Sequence, residues 1–261
     1  MSIYSWIKKI YYTVLDGVTL GKGIPVSLNN FSLKLPTKYY RLFPKDYEES
    51  SFVFFKKHAK NGGITLDIGA HIGLYSVFFA NITQGKVYSF EPTPSTAKVL
   101  RQTIAINNLQ NQVTVVQAAI AEKPGTATFY SADMDVSTSN SLVEIDLGKE
   151  LNRQGAYEVQ VLSIDGFRLQ HNLKIDFLKI DAEGVEIEAL KGAKETFLKD
   201  RPIAILGLHP FAYENRKETL SIIWDILTAY QLQIQMAAKD ISKETFCNNE
   251  ETVFDVELLP Q

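Results

Sequence analysis

The sequence predicts an α/β fold built on a doubly wound, mostly parallel sheet. Three observations carry that expectation. From Ile64 onward, short apolar runs alternate with helix-length amphipathic segments, the signature of successive βαβ units. The run Ile64-Thr65-Leu66-Asp67-Ile68 ends in a small-residue turn, Gly69-Ala70-His71-Ile72-Gly73, which opens straight into a helix. Phe177-Leu178-Lys179-Ile180-Asp181-Ala182-Glu183-Gly184 repeats the plan, with acidic residues at the strand tip and a glycine at the helix start.

Taken in order, the first element is a helix. Ile3, Trp6, Ile7, Ile10, Tyr11, Val14 and Leu15 recur at three- and four-residue steps, with Lys8 and Lys9 off that face. Packing onto its own domain is the expected use of the apolar side, the alternative being a membrane surface or a partner. Phe31 to Leu35 alternates like a strand, and Asp46-Tyr47-Glu48-Glu49 leads into a helix from Ser50 to Lys57. Residues 1–50 read as a cap laid over a domain spanning 51–261.

Strands are expected at 64–68, 87–90, 113–117, 177–180 and 203–208, with helices at about 72–81, 94–107, 184–198 and 216–230. Leu232 to Met236 and Val253 to Leu258 close the pattern as an antiparallel hairpin on the sheet edge, joined by a polar loop from Lys239 to Thr252. A long excursion, 121–176, separates strands three and four and holds an added strand at Ala127 to Tyr130. Its small, polar stretch 131–145 is expected to act as a lid over the strand ends, because loops of such length in compact domains are usually functional or disordered.

Composition narrows the function classes. The chain has 261 residues, 45% hydrophobic and 22% charged, which fits an ordinary soluble domain. Cys247 is the single cysteine, so no intramolecular disulfide forms and a cytoplasmic setting is expected. No apolar run approaches the roughly 18 residues that span a bilayer. Lys8 and Lys9 break what would be the core of a secretory signal. Basic residues match no nucleic-acid reader motif, so no nucleic-acid partner is expected. They are nonetheless uneven: residues 1–60 carry a net charge of +6 and the remainder −9. Such a basic segment favours an anionic surface or an acidic substrate.

The turn after Asp67 sits where such sheets hold a cofactor. A dinucleotide fingerprint needs a second glycine so that the backbone can approach a pyrophosphate, and counting from Gly69 that position is His71. The loop therefore favours S-adenosyl-L-methionine over NAD. Glu91, 24 residues beyond Asp67 and followed by Pro92, ends the second strand, where a carboxylate accepts hydrogen bonds from both ribose hydroxyls. Asp67, Gly69, Ala70, His71, Ile72, Gly73, Glu91 and Pro92, with Ala118 and Ala119 beyond strand three, form the candidate cofactor set.

Chemistry is expected opposite that set. Lys179 and Asp181 share one face of their strand, and a lysine there is costly to bury unless paired. Asp181, Glu183 and His209, at the carboxyl ends of two strands, are the candidate catalytic residues. They would also be the ligands of any divalent cation, but two carboxylates and one histidine make a thin set, and no metal is expected.

Leu66-Asp67-Ile68-Gly69-Ala70-His71-Ile72-Gly73-Leu74-Tyr75-Ser76, Phe90-Glu91-Pro92, Leu178-Lys179-Ile180-Asp181-Ala182-Glu183-Gly184-Val185-Glu186 and Leu190-Lys191-Gly192-Ala193 resemble the FkbM-type family of class I S-adenosylmethionine-dependent methyltransferases. Tyr40-Arg41-Leu42 and Asp46-Tyr47-Glu48 are similar to it too, so the resemblance covers roughly 40–210. It implies a Rossmann-like, seven-stranded sheet with an antiparallel last strand. It also implies methyl transfer to a hydroxyl, on a sugar, a glycan or glycolipid precursor or a secondary metabolite. The expected partner is thus a small hydroxylated acceptor, carbohydrate or lipid-linked. His209 is the natural general base and Asp181 its orienting neighbour or that of the substrate. One departure is Gly207, where relatives often carry an acidic residue. The competing readings are an NAD(P)-dependent oxidoreductase, which His71 and the lack of a Tyr-x-x-x-Lys pair oppose, and a non-catalytic binding module on the same scaffold.

Overall fold

Strands buried on both faces must be apolar almost throughout, and that is why four short runs form the centre of one sheet. The computed structural model describes residues 3–131 and 155–261. From residue 132 on, the expected lid lies outside them. Helix α1 (Ile3–Val18) is followed by a hairpin of β1 (Ile24–Leu28) and β2 (Phe31–Leu35), and by α2 (Glu49–His58). Then come β3 (Thr65–Ile68), α3 (Leu74–Thr83), β4 (Val87–Phe90), α4 (Pro94–Ile106) and β5 (Val113–Val116). Next, β6 (Ala119–Ile120), β7 (Gly125–Ser131) and β8 (Gly155–Leu162) make a separate three-stranded sheet, before α5 (Ile164–Gln170). The rest is β9 (Phe177–Asp181), α6 (Glu186–Lys191), α7 (Lys194–Lys199), β10 (Ile203–Leu208), a 3-10 turn at Pro210–Ala212, α8 (Arg216–Ala229), β11 (Leu232–Met236), β12 (Lys239–Asp240), α9 (Lys243–Cys247) and β13 (Phe254–Pro260).

The main sheet runs β12-β11-β13-β10-β9-β3-β4-β5, with β10, β9, β3, β4 and β5 parallel and β13 antiparallel to both its neighbours. Helices cover both faces. Leu66, Ile68, Leu178, Ile180 and Leu206 pack toward α5, α6, α7 and α8, whereas Val87, Val113, Phe177 and Ile205 face α2, α3, α4 and the β1–β2 hairpin. This is the doubly wound Rossmann-like arrangement. The winding reverses between β3 and β9, and such a switch point opens a crevice at the strand ends.

Several expectations need correction. Among the described residues the sheet has eight strands rather than seven; the eighth is the two-residue β12, formed inside the expected polar loop. The two closing strands do pair antiparallel at that end of the sheet, with the last strand on the inner side, between β10 and β11. The helix expected over 184–198 is two helices, interrupted at Gly192, where a Cβ would sit 2.4 Å from the Ala121 carbonyl oxygen. Helix α1 does not bury its apolar side: Trp6, Val14 and Val18 are 59%, 59% and 75% exposed. Among the described residues no helix is long and apolar enough to cross a membrane.

Candidate active site

The turn after β3 is a tightly braced shelf. Gly69 has φ +75, and a Cβ there would lie 2.1 Å from the Asp181 carbonyl oxygen, so only glycine lets this turn pass the end of β9. Gly73, at φ +95, caps α3 in the left-handed region, which delays the helix to Leu74. Asp67 is fully buried. Its Oδ2 accepts a 2.6 Å hydrogen bond from Ser76 Oγ, itself held by Ser89 Oγ at 2.8 Å. Its Oδ1 has no partner among the described residues. Burial pushes the Asp67 carboxyl up to about 6.

His71 adopts φ 50, and its backbone N–H donates to Glu91 Oε2 at 3.1 Å, while Glu91 Oε1 accepts from the Thr93 N–H at 2.8 Å. Glu91 thus clamps the turn to the tip of β4. Burial raises its carboxyl to about 7 and lowers the His71 imidazole to about 4, which keeps that ring neutral. His71 Nε2 has no partner among the described residues. Pro92 is half-buried beside Glu91; Ala118 and Ala119 are buried just past β5. Ala70 and Ile72 point into the core, so only their backbone can serve a ligand in the crevice.

At the ends of β9 and β10 stands a chain of alternating charges. Lys179 Nζ donates to Asp181 Oδ2 at 2.7 Å and lies 4.9 Å over the Tyr75 ring. Asp181 Oδ1 faces His209 Nε2 at 3.2 Å. His209 Nδ1 is 2.8 Å from Glu186 Oε1, and Tyr213 donates its hydroxyl to Glu186 Oε2 at 3.0 Å. Both imidazole nitrogens therefore meet carboxylates. Burial alone would lower the His209 pKa, but the hydrogen bond to Glu186 and the charges of Asp181 and Glu186 outweigh it and hold it above the usual histidine value. Burial likewise opposes ionisation of Lys179 and Asp181, yet their mutual attraction prevails, with Lys179 raised and Asp181 lowered.

Glu183 sits in the left-handed region at φ 47, within the field of Asp181, Glu91 and Glu186. Burial and then Asp181 push it up to about 9, so it is a protonated donor at neutral pH rather than a charged ligand. Among the described residues no three His, Cys, Asp or Glu side chains are arranged to hold a metal ion. Gly207 finds its explanation in register. It pairs with Asp255 of β13, and a Cβ at 207 would come within 3.3 Å of Asp255 Oδ1 and 3.4 Å of Asp181 Oδ1. Asp255 brings to this point a carboxylate that residue 207 lacks; Ser51 Oγ holds it at 2.7 Å, and burial lifts it to about 6.

Glu186, Tyr213 and Asp255 are absent from the residues picked from sequence. Glu186 follows Gly184 at a helix start, where an acidic residue reads as a partner of the helix dipole. Tyr213, four residues past His209, carries a weak signal, and Asp255 carries none.

The same shifts set a pH dependence of stability. Asp67, Asp255, Glu91 and Glu183 have folded values of about 6, 6, 7 and 9, all above the ordinary carboxylate value near 4. At these four carboxyls the folded state binds more protons across that window, so each contribution is present at acid pH and lost as pH rises through the folded value, together outweighing the single opposite contribution of His71, lowered to about 4. His209, also raised, acts with the same sign above about 6.5. The melting temperature of the ligand-free protein is expected to fall steadily between pH 5 and pH 9. Calorimetry checks this, and a Tm that rises over that range would contradict the buried, uncompensated state of these carboxyls.

A family model described as the methyltransferase FkbM domain matches residues 67–234. Methyltransferase sdnD of Sordaria araneosa is 32% identical over 155 residues, covering 50% of this chain and 60% of its own length. Methyltransferase 1 of Beauveria bassiana (strain ARSEF 2860) is 25% identical over 148 residues, covering 49% and 57%. The chain thus spans less than two thirds of either relative. Among solved structures, methyltransferase FkbM from Methylobacillus flagellatus KT aligns with 77% of this chain and 44% of its own, at 18% identity and TM-score 0.48. A Streptococcus mutans methyltransferase in complex with SAH aligns over 83% and 100%, at 13% identity and TM-score 0.46. Because the family model takes in the turn, the β9 motif and His209 and spans more than half of the sequence, the chain belongs to the FkbM methyltransferase domain family.

Proposed function

We propose that this protein is an O-methyltransferase that moves the methyl group of S-adenosyl-L-methionine to a hydroxyl of a sugar, a glycan or glycolipid precursor or a secondary metabolite. The observation that carries this reading is His209, held between two carboxylates beside a turn whose buried polar atoms lack partners. The turn suits the cofactor. Asp67 Oδ1 and His71 Nε2 are buried without hydrogen bonds, and native buried polar groups are normally satisfied, here by a ligand bearing an amine and hydroxyls. Asp67, Gly69, Ala70, His71, Ile72, Gly73, Glu91, Pro92, Ala118 and Ala119 would hold it, the two core-facing residues by backbone alone. When bound, it supplies a methyl carbon already activated by its sulfonium.

The chain's own residues then position and deprotonate the acceptor. Glu186 fixes the His209 ring through Nδ1, which leaves Nε2 as the nitrogen that exchanges a proton at the mouth. Lys179 keeps Asp181 ionised, so Asp181 accepts a hydrogen bond from the acceptor hydroxyl or from Nε2–H. Protonated Glu183 donates to a second acceptor oxygen. Alignment and water exclusion supply several kcal/mol of the rate enhancement. A cytoplasmic, reducing setting belongs to the same reading.

The test begins with binding. S-adenosylhomocysteine is expected to raise the Tm, whereas NAD and NADP are not; stabilisation by NAD alone would favour the oxidoreductase reading. Glu91→Ala is expected to weaken S-adenosylhomocysteine binding by about 1.5–3 kcal/mol through lost charge-assisted hydrogen bonds. Unchanged affinity by calorimetry would remove Glu91 from the site.

A further inference from the structure

Helix α1 rests on the protein through Tyr11, Tyr12, Leu15 and Asp16 and leaves an apolar stripe in solvent. Asp16 Oδ1 accepts from Thr37 Oγ1 at 3.2 Å, and Tyr11 meets the Tyr40 hydroxyl at 3.1 Å. Tyr12 and Leu15 are half-buried. Away from these contacts, Ile7, Ile10, Val14 and Val18 recur at three- and four-residue steps and are 56%, 42%, 59% and 75% exposed. Trp6, 59% exposed, flanks the stripe. An amphipathic helix packed on its own domain would show the reverse, and a contiguous apolar stripe in water marks an interaction surface.

Charge narrows the occupant. Residues 1–60 carry +6 in a chain whose net charge is −3. Lys38 and Arg41 are exposed next to Thr37 and Tyr40, the residues that touch α1. A second copy would set one positive segment against another, whereas a negative lipid surface attracts it. Sixteen residues rise about 24 Å, short of the roughly 30 Å hydrocarbon core, so the helix lies in the interface rather than crossing it. Tryptophan, here the exposed Trp6, suits that boundary.

We propose that α1 docks the protein on an anionic lipid surface, its Ile7–Ile10–Val14–Val18 stripe in the acyl boundary and the neighbouring basic side chains at the headgroups. The segment after α1 reaches the candidate site. Phe43 packs on Tyr47 at 4.8 Å, and its ring meets the edge of His71 at 6.5 Å. Docking therefore brings the crevice near the membrane and selects lipid-linked acceptors. That last step rests on the methyltransferase reading; the docking itself does not.

The test uses the full chain with vesicles of phosphatidylcholine alone or mixed with phosphatidylglycerol. Co-sedimentation is expected only with the mixed vesicles and weakens as salt rises. In a Trp224→Phe background, Trp6 fluorescence is expected to shift to the blue on binding. Val14→Asp and Ile10→Asp, both at exposed positions, are expected to lower partitioning at least about tenfold, with unchanged Tm and unchanged S-adenosylhomocysteine binding. No partitioning, equal partitioning into both vesicle types, or full binding by Val14→Asp overturns the proposal. So does a dimer, seen by sedimentation velocity without lipid, that Val14→Asp dissociates, because it assigns the stripe to a second copy.

Discussion

Replacing His209 with alanine is expected to lower the rate of methyl transfer by roughly 10²–10⁴ while leaving cofactor affinity nearly intact. The imidazole stands between two carboxylates that hold its titration above the usual histidine value. Glu186 at 2.8 Å and Asp181 at 3.2 Å favour the imidazolium, so the rate should climb with pH through a value above that of an ordinary histidine. Glu186→Gln keeps the shape but removes one charge, and it is expected to shift that rising limb toward acid. Asp181→Asn should slow transfer and move the limb the same way. An acceptor must first be found by screening hydroxylated sugars and glycolipid precursors. A loss below about tenfold in His209→Ala would mean that alignment suffices, and Asp181 would become the better candidate for the base.

Lys179→Met is expected to cost about 3–5 kcal/mol of stability at pH 7.5, the range for removing one partner of a buried ion pair. Lys179 is 5% exposed and stabilises Asp181 by contact and Asp67 and Glu48 by its field. Without it, Asp181 and Asp67 lose the cation whose charge favours their ionised forms. The native pair keeps its contribution until pH falls through the lowered Asp181 value, whereas in the variant Asp181 takes up a proton earlier. The deficit should therefore narrow at pH 5. Guanidinium unfolding at the two pH values reads this directly, and equal stability of variant and parent at pH 7.5 would mean that the carboxyls are solvated rather than held by Lys179.

The parallel core was legible because its central strands are largely buried on both faces and so read as short, mostly apolar runs. Thr65–Ile68, Val87–Phe90 and Ile203–Leu208 stand within one residue of where hydrophobic runs put them. The residues that close the separate small sheet were not. Gly155–Leu162 pairs antiparallel with Gly125–Ser131 across a long intervening stretch, and no local pattern specifies so distant a partner. Ile164–Gln170 had an N-cap signal in Ser163, which accepts from the Gly166 N–H, but that glycine weakens the helical pattern. For α1 the periodicity showed an amphipathic helix, but the expected packing of its apolar side onto the domain failed, because periodicity does not say which surface a stripe meets. In the site, Asp181 and His209 stood out because strand tips converge on the crevice. Glu186 did not, since its inward turn depends on a histidine 23 positions away.

The placement of β13 ties the flank of the parallel body to the candidate site. It follows β11 in the chain yet lies between β11 and β10, so β11 has no bonded neighbour in the parallel body until residues 254–260 arrive. Closing that sheet couples segments with about 45 residues between β10 and β13, a non-local step of the kind that slows folding. Until it happens, the open flank of β10 is a bare row of amide and carbonyl groups, a template for intermolecular pairing. The same strand carries Asp255 to Ser51 and Gly207. The strand that covers the flank of β10 is therefore also the one that completes the candidate site.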